Sequence, residues 1–294
     1  MSFVIVTDTS ANLPTAYARE HGIPVVPFSF YIDGEEKTCT DTGNFDCRAY
    51  YDLIRHGTRV TTSQVTPQRF MEYFEPVLQQ GKDLIFVSMS SGISGSCNSS
   101  HIAAAELMEK YPGRQIRIID TLGASLGEGL IAMRGIDCRE KGMSFEETAD
   151  YLDKLRHRVF NVFTVEDLMH LKRGGRLSPL SAVLGTVLNI KPILKGNEEG
   201  KIVAYAKVRG RKKVISVLAE KYDAFVRNPA EQTVCISHCD CPEDAEHLKE
   251  LIMRNNPPRD VLIVEHEPAT GSYLGPGALA IYYESFEGVR YDND

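Results

Sequence analysis

Short apolar runs alternate with amphipathic stretches of helix length through the first half of the chain, and this alternation restricts the fold more than any other feature. Residues 3–6, 25–32, 84–87 and 116–119 predict strands. Residues 47–55, 67–80 and 94–110 predict helices, as does a segment through Leu130 and Met133 that ends near Gly142. Ser144-Phe145-Glu146-Glu147 has the capping-box pattern and opens a further helix to about residue 157. This is the rhythm of a parallel sheet wrapped by helices. From residue 159 the pattern changes to a strand at 159–164, a turn at 172–176, a Pro-punctuated strand at 190–194, a turn at 197–200 and a strand at 202–206, the last pair reading as a hairpin. A helix through Val214, Val217, Leu218 and Tyr222 follows, then a strand at 233–236 with a helix at 243–254, and a strand at 261–264 before a glycine-rich turn at 271–277. The expectation is an α/β protein of two domains. Residues 1–155 form a three-layer domain with a parallel sheet and helices on both faces, and residues 156–294 form an α/β domain with a mixed sheet.

A chain of 294 residues is long enough for two cores of this kind. Its 40 acidic residues outnumber 33 basic ones along the whole length, so no nucleic acid is expected as partner, and no apolar stretch is long enough for stable membrane insertion. The N-terminus reaches Thr7-Asp8-Thr9-Ser10 too soon for a secretory signal. Seven scattered cysteines make no disulfide framework and point to a reducing, cytoplasmic compartment.

Two hydroxyl-rich segments, Thr61-Thr62-Ser63-Gln64 and Ser90 to Ser96, each read as a turn directly before a helix. The first runs into Thr66-Pro67, a capping residue followed by proline at the first helical position. Helix N-termini favour negative charge through unpaired N–H groups and the helix dipole, so a carboxylate or phosphate is the first ligand class to consider. The plainer reading is that these hydroxyls cap their own helices. Lys172-Arg173-Gly174-Gly175-Arg176-Leu177-Ser178 adds two glycines for close backbone approach and two arginines suited to bidentate contact with an anion; alternatively it is a tight turn whose arginines anchor a domain interface.

Other constellations are weaker. Gly123-Ala124-Ser125-Leu126-Gly127 matches the nucleophile-elbow pattern, and Asp240 and His266 stand in the right order to complete a triad. Ser125 trails its strand by several residues, however, and no glycine-rich oxyanion segment accompanies it. Cys235, His238, Cys239, Cys241 and His247 crowd potential metal ligands, yet their spacing lacks the Cys-x2-Cys knuckle, so no metal or cofactor is expected. Lys207, Arg209, Arg211, Lys212 and Lys213 form a basic run without interleaved aromatics and read as a solvated face or a dock for an acidic partner.

Thr7 to Pro14, Thr62-Ser63-Gln64, Ser90 to Ser96, Lys172 to Ser178, Asn189 to Leu194 and Gly275-Pro276-Gly277-Ala278-Leu279, in this order, resemble the motifs of the DegV family of bacterial fatty-acid-binding proteins. The resemblance implies a long-chain fatty acid held between two α/β domains by a carrier that is not an enzyme. It also implies a separate fatty-acid kinase as partner, which phosphorylates the bound carboxyl group. By motif, Thr62, Ser63, Ser94 and the Gly95 backbone would hold the carboxylate, with Arg173 and Arg176 on the head-group or partner side. Tyr273 stands where the family pattern usually has histidine, a neutral hydrogen-bonding phenol in place of a titratable ring. Thr9 and Asn12 replace the common Ser and Asp. A serine esterase using Ser125, or a binder of another small hydrophobic acid, are the alternatives.

Overall fold

The apolar runs of the two halves form two separate sheets. The computed structural model describes residues 3–178 and 189–291. In chain order the elements are β1 (Phe3–Asp8), α1 (Thr15–Glu20), β2 (Val25–Val26), β3 (Ser29–Ile32), β4 (Glu35–Thr38), α2 (Cys47–Arg55), β5 (Val60–Ser63), α3 (Pro67–Gln79), β6 (Asp83–Ser88), α4 (Ser96–Lys110), β7 (Ile116–Asp120), α5 (Leu126–Glu140) and α6 (Phe145–Leu155). They continue with β8 (Val159–Thr164), α7 (Met169–Arg173), β9 (Ile190–Gly196), β10 (Ile202–Arg209), α8 (Arg211–Phe225), β11 (Thr233–His238), α9 (Pro242–Asn255), β12 (Asp260–Glu265), α10 (Pro268–Leu274) and β13 (Leu279–Glu284).

The first sheet is parallel, in the order β2-β1-β6-β7. Its central strand carries Leu84, Ile85, Phe86 and Val87 with no exposed surface, as a strand covered on both faces requires. The α3/α4 pair and the α5/α6 pair supply those covers. The second sheet is mixed, in the order β10-β9-β8-β13-β11-β12, with only β11 and β12 running parallel. Helices α8 and α9 pack on it, and α5 touches β8, β11 and β13 as well as β1, so α5 lies between the two sheets. Small residues make that double packing possible: a Cβ on Gly129 would stand 2.5 Å from the Ala11 carbonyl oxygen. The α/β architecture with a parallel and a mixed sheet is the one expected.

Several local expectations are corrected. Residues 25–32 are not one strand, because Pro27 has no N–H to extend the ladder and the chain leaves the parallel sheet there for a small antiparallel sheet, β4-β3-β5. Thr61 and Thr62 are not in a turn before a helix. They pair with Tyr31 and Phe30 in β5, where β-branched residues are well placed, and the helix N-cap is Thr66, whose hydroxyl accepts from the Arg69 N–H at 3.2 Å. Most of the predicted glycine-rich turn is helix α10, capped by Glu267 and started by Pro268, and only residues 275–277 remain a turn. Strand β13 escaped prediction although it is central to the second sheet. The capping box forms as read, with the Ser144 hydroxyl accepting from Glu147 N–H and the Glu147 carboxylate from Ser144 N–H.

The weaker constellations also resolve. Lys207 and Arg209 lie on β10, and Arg211 pairs with Asp244 at 2.8 Å. All seven cysteines are free thiols. His238 accepts from the Cys241 N–H, His247 is exposed near Glu250, and among the described residues no group of three potential ligands converges.

Candidate functional site

Between the sheets lies a mainly apolar cavity walled by Phe28, Met89, Ile93, Phe163, Leu171 and Leu274. Its volume among the described residues is about 120 Å³. One end is lined by Thr62, Ser63, Gln64, Ser94, Arg176 and Tyr273, and another part of the wall by Ser125, His266 and Tyr282.

The hydroxyl end is assembled from four separate stretches of chain. β5 delivers Thr62, whose Oγ1 is 2.6 Å from the Tyr273 hydroxyl of α10. Ser94 stands before α4. Its hydroxyl donates to Ser96 Oγ at 3.1 Å and accepts from the Ser96 N–H, and Ser96 Oγ in turn accepts from the Val65 N–H at 3.0 Å. That relay joins the chain after β5 to the start of α4, which is why the two hydroxyl-rich segments meet. Gly95 is the N-cap of α4 and does not itself line the cavity; the Gln64 side chain lies where its Cβ would be. Arg176 is held rigidly, with Nε donating to the Ile93 carbonyl, Nη1 donating to the Gly174 carbonyl at 2.6 Å, and the guanidinium stacked 4.7 Å from the Tyr273 ring centre. A side chain at Gly174 is excluded, since its Cβ would approach the same ring to 2.2 Å.

Arg173 does not join this group. It is exposed in an outer cleft of about 620 Å³ that also holds Arg59 and His170, and Thr62, Arg176 and Tyr273 line both the cleft and the inner cavity. Burial, reinforced by Arg173, holds His170 below the ordinary imidazole range.

Much of the serine-rich segment before α4 serves docking. Ser90 donates to the Gly200 carbonyl at 2.9 Å in the turn between β9 and β10, and a Cβ on Gly92 would lie 2.3 Å from the Glu199 carbonyl. The motif at Thr7 to Pro14 is likewise a brace. Thr9 accepts from the Phe28 N–H, while Asn12 donates to the Glu265 carbonyl and accepts from the Glu267 N–H at 2.6 Å, fixing α10 and with it Tyr273. The two substitutions from the family pattern therefore keep a hydrogen-bonding role.

Beneath this brace, the Ser10 hydroxyl sits 2.5 Å from Asp8 Oδ1 and 2.6 Å from Glu128 Oε2. One hydroxyl proton cannot serve two carboxylates, so a carboxyl proton completes the chain of contacts. Burial, with Asp8 as the charged neighbour, pushes Glu128 well above the usual carboxylate range, and burial outweighs the Ser10 hydrogen bonds to raise Asp8 to about 7.

The triad expected of an esterase is not assembled. Ser125 has φ +54° and ψ −143° and lies 3.4 Å from His266 Nδ1, so those two members do meet. Asp240, however, is bound to Arg55. His266 is held by burial at about 3, too low for a general base near neutrality, and its Nδ1 faces Ser237 Oγ at 3.0 Å rather than a carboxylate. Ser237, His266 and Tyr282 carry no local signal of a binding role; they sit in or beside apolar strands, and only the sheet register brings them to the cavity.

An α/β protein with a parallel and a mixed sheet and an apolar cavity between them, lined at one end by hydroxyl groups, has the form of a binding protein for an amphipathic acid. The family model described as an uncharacterised protein of the DegV family matches residues 2–285, and the chain belongs to this family. A DegV domain-containing protein of Clostridium perfringens is 38% identical over 281 residues, spanning 96% of this chain and 97% of that one. The DegV family protein of Thermus thermophilus whose structure is described by its fatty acid binding is 28% identical, with a TM-score of 0.88 over 97% of this chain and 100% of the other. A DegV family protein of Ruminococcus gnavus, solved with vaccenic acid, is 26% identical, with a TM-score of 0.86 over 96% and 99% of the two chains. No helix among the described residues is long and apolar enough to cross a membrane.

Proposed function

We propose that this chain binds a long-chain fatty acid between its two domains, divided at residues 155 and 156, and acts as a carrier rather than a catalyst. Thr62, Ser63, Ser94 and Tyr273 hold the carboxylate, and the tail runs along Phe28, Met89 and Phe163. The acid bound by the Ruminococcus gnavus relative supports this reading. The observation that carries it is the Thr62–Tyr273 pair, which stands where the apolar cavity meets an outer cleft bearing Arg59, Arg173 and Arg176. A carboxyl group placed there is reachable from outside while its tail stays buried. This supports presentation to a separate fatty-acid kinase, with the arginines facing the phosphate to be transferred.

Tail burial contributes about 0.8 kcal/mol per methylene, or roughly 12 kcal/mol for fifteen, before the ordering of the tail is deducted. The tail dominates affinity and the hydroxyls set orientation. A cavity of 120 Å³ is close to the size that accepts a benzene ring, so a long tail enters only as flexible wall side chains such as Met89 and Leu274 move aside. That volume favours, as a second reading, a shorter or aromatic hydrophobic acid at the same head site.

Native mass spectrometry of the chain purified from a bacterial host, followed by solvent extraction, tests both. One C14 to C18 fatty acid per chain is expected. An empty protein that also refuses added fatty acid but takes up a short acid refutes the first reading and supports the second.

A further inference from the structure

Away from the acyl cavity, and sharing no lining residue with it, a second cavity of about 560 Å³ opens where the two halves of the chain meet. Its walls come from α5 and α6 on one side and from the segments before β8, after α8 and before β12 on the other. Although the chain as a whole carries an excess of acidic residues, Arg134, Lys141, Arg158, Arg227 and Arg259 face only Asp137, Glu231 and Glu284 here.

The carboxylates are already engaged. Arg134 binds both Glu284 at 2.7 Å and Asp137 at 2.9 Å, and Glu231 accepts from Asn228. Arg259 donates to the Thr233 hydroxyl. Lys141, Arg158 and Arg227 have no ion pair among the described residues. Arg158 is half-buried at this wall, so solvent only partly relieves its charge.

We propose that this cavity is a binding site for a small phosphorylated anion. The balance of charge calls for a ligand with more than one negative charge, and cations on separate walls call for more acceptor oxygens than a carboxylate offers. A phosphate group supplies both and matches guanidinium geometry through paired N–H···O contacts. The concave shape favours a soluble phosphate over a lipid headgroup in a membrane surface. Because Lys141 ends α5 while Arg158 and Arg227 flank the second sheet, the bound anion ties the two halves together.

Isothermal titration of the full chain with pyrophosphate, alongside a thermal melt, is the test. One pyrophosphate per chain is expected, with a rise in melting temperature and at least a tenfold loss of affinity in R158Q/R227Q. The exposed control K212Q/K213Q keeps wild-type affinity. Should R158Q fail to fold, R227Q alone, at an exposed position, lowers affinity at least threefold. Absence of binding to the wild-type chain, or an equal loss in the lysine control, overturns the proposal. Binding to phosphatidic acid vesicles without uptake of pyrophosphate also overturns it, reassigning the patch to a membrane surface. Fatty-acid content, read separately by extraction, does not enter these outcomes.

Discussion

Replacing Asp8 with asparagine tests whether the buried carboxyl pair beneath the brace stores a proton. Asp8 is fully buried, and burial lifts it from 3.8 to about 7, so between those values the folded chain holds a proton that the unfolded chain has released. Stability from this group is therefore complete below the unfolded value and is lost as pH rises through the folded one. Every tenfold gain in proton affinity on folding is worth about 1.4 kcal/mol, which makes the loss about 4 kcal/mol over the whole interval and about 3 kcal/mol between pH 5 and pH 8. Asparagine keeps an oxygen to accept from the Ser10 N–H and cannot ionise. The pH-independent cost of the exchange cancels when variant and wild type are compared at two pH values. Urea unfolding of both delipidated proteins should give a variant-minus-wild-type difference that rises by about 3 kcal/mol from pH 5 to pH 8. A difference that stays flat would mean that Asp8 is ionised in the folded chain and that Glu128 alone carries the proton, which would refute the reasoning.

Removing head-group contacts with Thr62→Ala and Ser94→Ala together should weaken fatty-acid retention by roughly 2 kcal/mol, about thirtyfold, in a competition assay with a fluorescent acid, while leaving the methyl ester's weaker binding unchanged; an equal loss for the ester would place the carboxylate elsewhere. Ser125→Ala should leave acid uptake and a negligible rate of ester hydrolysis both unaltered from pH 5 to pH 9, because His266, held at about 3, is too weak a base to activate a hydroxyl at any of these values. Fluorophosphonate labelling of the wild type that the variant abolishes would reverse that assignment.

The architecture was legible because burial on both faces leaves a continuous apolar run, as in residues 84–87, and because a capping box such as Ser144–Glu147 is written within four residues. Strand β13 was not, since Leu279–Glu284 follows a glycine-proline turn and draws its identity from its neighbours β8 and β11, far away in sequence. The hydroxyl end of the cavity shows the same division more sharply. Local sequence marked Thr62, Ser94 and Tyr273 but assigned the wrong cause to Thr62, which is useful for its place on a strand and not for a helix N-terminus. What brings its hydroxyl to Tyr273 is the pairing of Phe30 with Thr62, the bare Gly174 under the tyrosine ring, and Asn12 gripping the residue that caps α10. Each is a contact between distant segments, so tyrosine at the histidine position can be judged only with those contacts in hand. The Tyr273 phenol shares a 2.6 Å hydrogen bond with the Thr62 hydroxyl, and those contacts fix its place at the mouth of the cavity.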